Sequence, residues 1–233
     1  MKPYRWLLFD ADGTLFDYDR AETTALDNTF RLFGLEILPE HHAVYRRVNA
    51  RLWREFEEGK VSALQLRVQR FAELLAECSL AVDPEQMSPA YLIQLSRVSV
   101  LLPGAEEVVR QLAASYQLAL ITNGLKEVQR PRLEGSVIAE YFQVVAISDE
   151  MGVAKPDPRY FDMLFGWIGQ PPRAEVLVIG DNPGADILGG LNYGLDTCWY
   201  NPARRRPNPA IPARYEISRL EELLDLLAAA PAA

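Results

Sequence analysis

The feature that most constrains the fold is a short apolar segment near the start of the 233-residue chain. Trp6 to Phe9 reads Trp-Leu-Leu-Phe and is followed at once by Asp10, with Asp12 two residues further on. The segment is too short to cross a membrane, and its apolar density is typical of a strand buried on both faces. Ligands of open parallel sheets bind just beyond the carboxyl ends of the strands, so a site is expected here.

The two carboxylates allow two interpretations. Asp10 and Asp12 would repel each other unless a cation or a shared proton lies between them, which favours a functional site. Alternatively, both aspartates belong to a simple turn in which Gly13 supplies a positive φ. The Asp-x-Asp pattern alone supports the two interpretations about equally.

Four motifs together resemble those of the haloacid dehalogenase superfamily, whose members are mostly Mg²⁺-dependent phosphatases. They are Asp10-Ala11-Asp12-Gly13-Thr14, Thr122-Asn123, Lys155-Pro156, and Gly180-Asp181 with Asp186 five residues after Asp181. They occur in the order expected for the superfamily, and the resemblance covers nearly the whole chain. The first and last motifs are specific at this separation, whereas Thr-Asn and Lys-Pro are individually weak.

The hydrophobic pattern predicts an α/β protein with a helical insertion. Helical spacing of apolar residues fills residues 17–95, and strand and helix patterns alternate from residue 96 onward. Five predicted strands, alternating with helices, imply a parallel sheet with right-handed crossovers. We therefore predict a Rossmann-like core like that of the haloacid dehalogenase superfamily, from residues 1–16 plus 96–233, and an all-helical cap from residues 17–95.

Composition excludes several classes of protein. The net charge of −8 argues against a protein that tracks the phosphates of a nucleic acid polymer. No stretch has the length of a membrane span, and the N-terminal apolar run is interrupted by Asp10, so we expect a cytoplasmic protein without membrane contact. Cys78 and Cys198 lack a metal-ligand spacing and are expected to be free thiols, with a disulfide as the alternative.

The resemblance implies roles for the polar residues at the predicted strand ends. Asp10 would be the nucleophile that forms an aspartyl-phosphate, and Asp12 would be the general acid and base. Thr122 and Asn123 would bind the phosphoryl group through a hydroxyl and nearby main-chain N–H groups. Lys155 would place its positive charge on Asp10 and on the phosphoryl oxygens.

The resemblance also implies a Mg²⁺ cofactor. The side chains of Asp10 and Asp181 and the main-chain carbonyl of Asp12 would be the ligands, since Mg²⁺ prefers hard oxygen ligands. Thr14 and Asp186 would lie in the outer shell, where Asp186 would orient the metal site or Lys155. An alternative for Asp186 is that it caps the next helix.

The predicted cap indicates a small substrate. A helical cap can close over a site and read the leaving group, which favours a small phosphorylated metabolite over a macromolecule. The segment from Asn49 to Leu75 resembles the branch of bacterial pyrimidine 5′-nucleotidases, so a nucleoside monophosphate is the predicted substrate. The alternatives are a phosphoglycolate or sugar-phosphate phosphatase, a phosphoglucomutase, or a phospholigand-binding protein without turnover. The sequence leaves the oligomeric state open.

Within the cap, Trp53, Tyr45 or Phe71 would stack on a base, while Asn49 or Arg67 would contact the sugar or base. The alternative is that the aromatic side chains fill the interior of the cap. Outside the cap, residues 201–212 are rich in proline and include three consecutive arginines, Arg204 to Arg206. We expect a solvated loop there, with phosphate contact as the alternative.

Overall fold

The structure is a computed structural model in which residues 4–228 are described. These residues form two compact units, which we call the α/β unit and the helical unit. The α/β unit contains the described residues up to 17, residues 100–124 and the described residues from 133 onward, and the helical unit contains residues 18–99 and 125–132. The two ends of the predicted core, residues 1–3 and 229–233, lie outside the described residues.

The α/β unit is built on a six-stranded sheet in which all neighbouring strands are parallel. The strands are β1 (Trp6–Asp10), β2 (Gln117–Thr122), β3 (Phe142–Ile147), β4 (Val176–Gly180), β5 (Asp196–Tyr200) and β6 (Tyr215–Ile217). Their order is β3-β2-β1-β4-β5-β6, so the direction of the connections reverses between β1 and β4. The predicted parallel α/β fold is confirmed, and its switch point lies beside the end of β1.

Both faces of β1 are buried, which explains why its sequence reads as one continuous apolar run. Leu7 and Phe9 pack into a hydrophobic cluster on one face of the sheet. Trp6 and Leu8 pack into a second cluster, which agrees with the alternation of side chains along a strand. All five residues of β1 are buried, including Asp10 at its carboxyl end. A carboxylate is therefore placed where water is largely excluded.

The sixth strand is a difference from the sequence-based expectation of five. β6 is three residues long, follows the proline-rich loop and pairs with β5, so β6 is the edge strand on that side of the sheet. Of its three side chains, that of Ile217 is buried. Three residues do not establish a periodicity of two, so this strand forms through pairing with β5 and leaves little signal in the sequence.

Ten helices accompany the sheet in the described residues. They are α1 (Tyr18–Leu32), α2 (Pro39–Glu57), α3 (Ala63–Glu77), α4 (Pro84–Ser96), α5 (Ala105–Ala113), α6 (Lys126–Glu134), α7 (Ser148–Met151), α8 (Pro158–Trp167), α9 (Leu188–Asn192) and α10 (Glu222–Ala228). Within the described part of the chain, none of them combines the length and the hydropathy needed to cross a bilayer. Cys78 and Cys198 are free thiols.

The helical unit consists of α1 to α4 and most of α6, around an aromatic interior. Tyr45, Phe71 and Tyr91 are fully buried, and their ring centroids lie 5.2 to 5.5 Å apart. The guanidinium carbon of Arg70 lies 4.9 Å from the ring centroid of Tyr91. In this structure Tyr45 and Phe71 therefore serve as packing residues. Residues 125–132, which the sequence analysis places with the core, cluster with the helical unit.

The contact between α9 and the sheet generates a stability prediction. A Cβ on Gly190 would lie 2.5 Å from Cγ2 of the buried Thr197, whereas a Cβ on Gly166 in α8 would meet open space. We expect Gly190→Ala to lower the free energy of unfolding by about 2 kcal/mol, because close-packed interiors resist added volume. Gly166→Ala, the matched control, should raise it by about 0.5 kcal/mol through helix propensity. Urea denaturation measures both values, and equal effects would contradict the packing argument.

Candidate active site

Three carboxylates converge at the carboxyl ends of β1 and β4. Asp10 ends β1, Asp181 follows the last residue of β4, and Asp186 lies in the single π-helical turn of residues Pro183–Ile187. One oxygen atom of each lies within 4.8 Å of the corresponding atoms of the other two. Asp10 and Asp186 are buried, and Asp181 is half-buried. The structure therefore brings together residues from two of the four predicted motifs.

Lys155 joins these carboxylates. Its ammonium nitrogen, Nζ, donates to Asp10 Oδ1 at 2.8 Å and to Asp186 Oδ1 at 2.6 Å. A third hydrogen bond, of 2.9 Å, goes to the carbonyl oxygen of Ile121 near the end of β2. All three ammonium protons have acceptors, and the lysine is only 1% exposed. The charge of Lys155 is thus placed on the predicted nucleophile.

Asn123 holds the main chain of Lys155 beside the end of β2. Its Oδ1 accepts from the N–H of Lys155, and its Nδ2 donates to the carbonyl of Lys155, both at 2.8 Å. The peptide bond between Lys155 and Pro156 is cis. The Asn123 side chain is therefore engaged in placing the lysine. Its contact with a phosphoryl group stays a prediction.

Two threonines surround the predicted nucleophile. The hydroxyl of Thr14 donates to Asp10 Oδ2 at 3.3 Å, so each oxygen of Asp10 has a hydrogen-bond donor. The hydroxyl of Thr122 accepts from the N–H of Gly124 at 3.0 Å, which leaves its own proton available for a phosphoryl oxygen. Both threonines are buried. Their arrangement agrees with the predicted outer-shell and phosphate-binding roles, which the structure leaves as predictions.

The turn after β4 presents Asp186 to the lysine. Asp186 Oδ2 accepts from the N–H of Asn182 at 3.0 Å, while Asn182 Oδ1 accepts from the N–H groups of Gly184 and Ala185. Asn182, rather than Asp186, therefore caps this turn, and the Asn-Pro pair is the sequence signal that we missed. Gly180 makes room for the carboxylate, since a Cβ there would lie 2.2 Å from Asp186 Oδ2.

Burial dominates the electrostatics of the cluster. Burial and the charge of Asp186 raise the pKa of Asp10 well above its usual value, while Lys155 acts in the opposite direction. Burial and the charge of Asp186 also raise the pKa of Asp181, to about 7. Burial lowers the pKa of Lys155, but Asp10 and Asp186 outweigh it and hold this pKa above its ordinary value. One ammonium does not neutralise three buried carboxylates, so the site favours a further cation.

The residues present fit a divalent metal ion with hard oxygen ligands. Asp10 and Asp181 offer carboxylate oxygens, whereas both oxygens of Asp186 already accept hydrogen bonds, which suits the predicted outer role. Gly13 has a φ of +82°, and a Cβ there would lie 2.8 Å from Asp181 Oδ2. The main chain of the first motif thus comes close to Asp181. Asp12 is half-buried and directly precedes Gly13, and its catalytic and metal-binding roles stay predictions.

Two residues that were not predicted from the sequence hold the main chain of Asp181. Arg205 Nη2 and Trp199 Nε1 donate to the Asp181 carbonyl oxygen at 2.7 and 3.1 Å. Arg205 is one of the three consecutive arginines in the segment that we expect to be a solvated loop, and its side chain is exposed. No local pattern links residues 181 and 205. Only the adjacency of β4 and β5 brings them together.

Asn49, a predicted substrate contact, lies in a buried polar cluster of the helical unit. Its Nδ2 donates to Glu22 Oε2 at 3.0 Å and to the Tyr18 hydroxyl at 3.2 Å. Its Oδ1 accepts a 3.5 Å hydrogen bond from Arg70 Nη1. Asn49 thus links a buried glutamate to a buried arginine. A contact of Asn49 with substrate stays a prediction.

Trp53 and Arg67 are also placed within the helical unit. Trp53 is half-buried and packs edge-to-face on Phe56, with their ring centroids 5.7 Å apart. The Arg67 guanidinium pairs with the carboxylate of Glu127 at 2.9 Å. Trp53 keeps part of its ring exposed, whereas the guanidinium of Arg67 already has a carboxylate partner. Their contacts with substrate stay predictions.

The chain belongs to the haloacid dehalogenase-like hydrolase family, whose model matches residues 4–194. This match and the relatives below confirm the predicted family and fold. They also agree with the predicted enzyme class, a phosphoric monoester hydrolase. The site described above lies within the matched residues, except for Trp199 and Arg205.

Three relatives each cover at least 95% of the chain. Pyrimidine 5′-nucleotidase YjjG of Escherichia coli is 37% identical over 95% of this chain and 97% of its own. Pyrimidine 5′-nucleotidase PynA of Streptococcus pneumoniae is 33% identical over 96% of this chain and 95% of its own. The crystal structure of the HAD-hydrolase YfnB of Bacillus subtilis, bound to magnesium, is 37% identical and superposes with a TM-score of 0.92. That match covers 97% of this chain and 99% of YfnB.

Removal of the buried lysine should cost stability in a pH-dependent way. Lys155→Met leaves Asp10 and Asp186 without their cation, and we expect a loss of about 3–5 kcal/mol in metal-free protein at pH 8. Without the lysine, the carboxyl pKa values in the folded state lie further above those of the unfolded state. The variant therefore regains stability as the pH falls and loses it as the pH rises.

Chemical denaturation with a chelator at pH 5 and pH 8 measures this difference. Lys60→Met is the control and should change little at either pH, because the ion pair of Lys60 with Glu58 lies at the surface. The assigned electrostatics would be contradicted if Lys155→Met lost more free energy of unfolding, relative to the wild type, at pH 5 than at pH 8.

Proposed function

We propose that this protein is a Mg²⁺-dependent phosphatase that hydrolyses pyrimidine nucleoside 5′-monophosphates through an aspartyl-phosphate on Asp10. The observation that carries the chemistry is the buried ammonium of Lys155, which holds Asp10 beside Asp181 and Asp186. The substrate class is supported by the two pyrimidine 5′-nucleotidases, each of which matches at least 95% of the chain.

In the first step, a carboxylate oxygen of Asp10 attacks phosphorus and the ester P–O bond breaks. Asp12 donates a proton to the leaving oxygen, so the nucleoside departs as a neutral alcohol. Lys155 and Thr14 hold the two oxygens of Asp10 and so orient the carboxylate for attack. The nucleophile gains effective concentration because its geometry is set before the substrate arrives.

In the second step, Asp12 removes a proton from a water molecule, and the oxygen of that water attacks phosphorus. The bond between phosphorus and Asp10 breaks, which releases inorganic phosphate and restores the free carboxylate. Thr122 would donate its hydroxyl proton to a phosphoryl oxygen in both steps, aided by main-chain N–H groups near Asn123. Positioned donors of this kind stabilise the charge of the transition state.

Asp10, Asp181 and the Asp12 carbonyl would hold the metal, with Asp186 in the outer shell. When bound, Mg²⁺ neutralises the repulsion between the Asp10 carboxylate and the phosphate dianion. Burial raises the pKa values of Asp10 and Asp181, and the excess of three carboxylates over one ammonium in the cluster raises them further. That excess of negative charge supports a cation as part of the working site.

We further propose that residues 17–95 form a cap domain that selects the leaving group. The half-buried indole of Trp53 is the candidate for stacking on the base, since Tyr45 and Phe71 are fully enclosed by packing. A cytoplasmic location is proposed because the two free cysteines suit a reducing compartment. The ligand expected in the cell is a small phosphorylated metabolite.

Phosphate release with Mg²⁺ across a substrate panel tests the proposed function. We expect dUMP, dTMP and UMP to be hydrolysed with higher kcat/KM than purine monophosphates, phosphoglycolate or sugar phosphates. Asp10→Asn should reduce kcat by at least about 10³-fold, because an amide is a poor nucleophile. Chelation of the metal should reduce release comparably.

Trapping of Asp10 by beryllofluoride with Mg²⁺ separates an enzyme from a phospholigand-binding protein. If the protein preferred phosphoglycolate or a sugar phosphate, the aspartyl-phosphate mechanism would stand, but pyrimidine monophosphates would be rejected as the substrate class. Folded protein that neither traps beryllofluoride nor releases phosphate would reject the mechanism.

Trp53→Ala tests the proposed base contact. We expect KM for pyrimidine monophosphates to rise about two- to twelvefold, since an aromatic contact contributes about 0.5–1.5 kcal/mol. KM for phosphate esters without a base should change little. Trp167→Ala, which removes a half-exposed indole on α8, is the matched control. Equal weakening of every substrate, or a loss of stability alone, would contradict the stacking proposal.

A further inference from the structure

The peptide group between Asp181 and Asn182 is held at both of its polar ends. Its carbonyl oxygen accepts from Arg205 Nη2 at 2.7 Å and from Trp199 Nε1 at 3.1 Å. Its N–H donates to Asp186 Oδ2 at 3.0 Å. The peptide therefore links the arginine of the loop after β5 to the carboxylate cluster at the end of β1.

Arg205 is itself held by a fully buried side chain. Asn201 Oδ1 accepts from the N–H of Arg205 at 2.9 Å, and Asn201 Nδ2 donates to the Arg205 carbonyl at 2.8 Å. Asn201 Nδ2 also donates to Glu216 Oε1 on β6 at 2.7 Å. The Arg205 guanidinium carbon lies 5.5 Å from the ring centroid of Trp199, a cation–π contact. The loop thus presents one arginine in one orientation.

We propose that Arg205 is a positioning residue for the proposed metal site and acts through the Asp181–Asn182 peptide. The inference rests on the proposed function, because it assigns Arg205 a task toward the same cation. Hydrogen bonds run without a break from Arg205 to the peptide, then to Asp186, Lys155 and Asp10. Support from outer groups of this kind orients the residues that bind a metal.

Removal of the Arg205 side chain should change the affinity for Mg²⁺ in opposite directions, depending on whether Arg205 acts through its charge alone or by positioning the peptide. The guanidinium lies near Asp181 and favours its ionised form. Removal of a positive charge beside a cation site strengthens cation binding, because the Coulomb repulsion between the two cations is lost. Loss of one of the two donors to the Asp181 carbonyl lets the peptide rotate, which displaces the carboxylate and weakens cation binding. The direction of the change therefore separates the two roles.

Arg205→Ala, Arg205→Lys and Arg206→Ala form the test set. Arg206 is the adjacent exposed arginine and serves as the matched control. Metal-free protein is titrated with Mg²⁺ alone while Tm is followed, which reports binding without any substrate. The Mg²⁺ activation constant and the kcat at saturating Mg²⁺ are then measured separately with the best substrate of the panel.

We expect Arg205→Ala to weaken Mg²⁺ binding about tenfold by both readouts. Its kcat should recover at saturating Mg²⁺, since the residue does not contact the reacting atoms. Arg205→Lys, which keeps one cationic donor, should lie between Arg205→Ala and the wild type. Arg206→Ala should match the wild type, and the Mg²⁺-induced rise in Tm is measured for each variant from its own metal-free Tm.

Unchanged or tighter Mg²⁺ binding in Arg205→Ala would overturn the inference while leaving the proposed function intact. The same holds if Arg206→Ala weakens binding as much as Arg205→Ala, because the effect would then be one of general charge. Wild-type protein that shows neither a Mg²⁺-induced rise in Tm nor Mg²⁺-dependent phosphate release would overturn both proposals. A different preferred substrate would leave the metal titration, and this inference, unaffected.

Discussion

The buried ammonium of Lys155 is the interaction on which the site depends. Burial of a lysine is strongly unfavourable unless its charge is compensated. Here two carboxylates and a carbonyl oxygen accept its three protons. The same contacts offset part of the cost of burying Asp10 and Asp186. Each charge is tolerated because the others are present, so the cluster forms as a unit or not at all.

That cluster requires the sheet order, because its members are far apart in sequence. Lys155 is 145 residues from Asp10 and 31 residues from Asp186. Placement of β1 between β2 and β4 brings the carboxyl ends of three strands side by side. Apolar residues on both faces of β1 enforce its central position, since an edge position would expose them to water. The pattern that specifies the fold thereby also specifies where the charges meet.

Much of this arrangement could be predicted from the sequence, and the exceptions share a physical cause. The continuous apolar run before Asp10 and the alternation after residue 96 identify a parallel sheet. Residues at strand ends then converge by geometry. β6 and the contact of Arg205 with Asp181 escaped prediction because both depend on pairing between distant segments. Local periodicity carries no information about such contacts. Asn182 differs, since its Asn-Pro signal was present in the sequence.

Side-chain roles within a motif were less predictable than the motif itself. The Asn123 side chain is used to place Lys155, and both oxygens of Asp186 are occupied by Lys155 and Asn182. The residues that face a reacting group are therefore a small subset of the polar residues at the strand ends. The others hold main-chain groups in place, which a preorganised site requires because loose catalytic groups lose their advantage over water. Arg205, which donates to the Asp181 carbonyl oxygen, is one of the residues that hold main-chain groups in place.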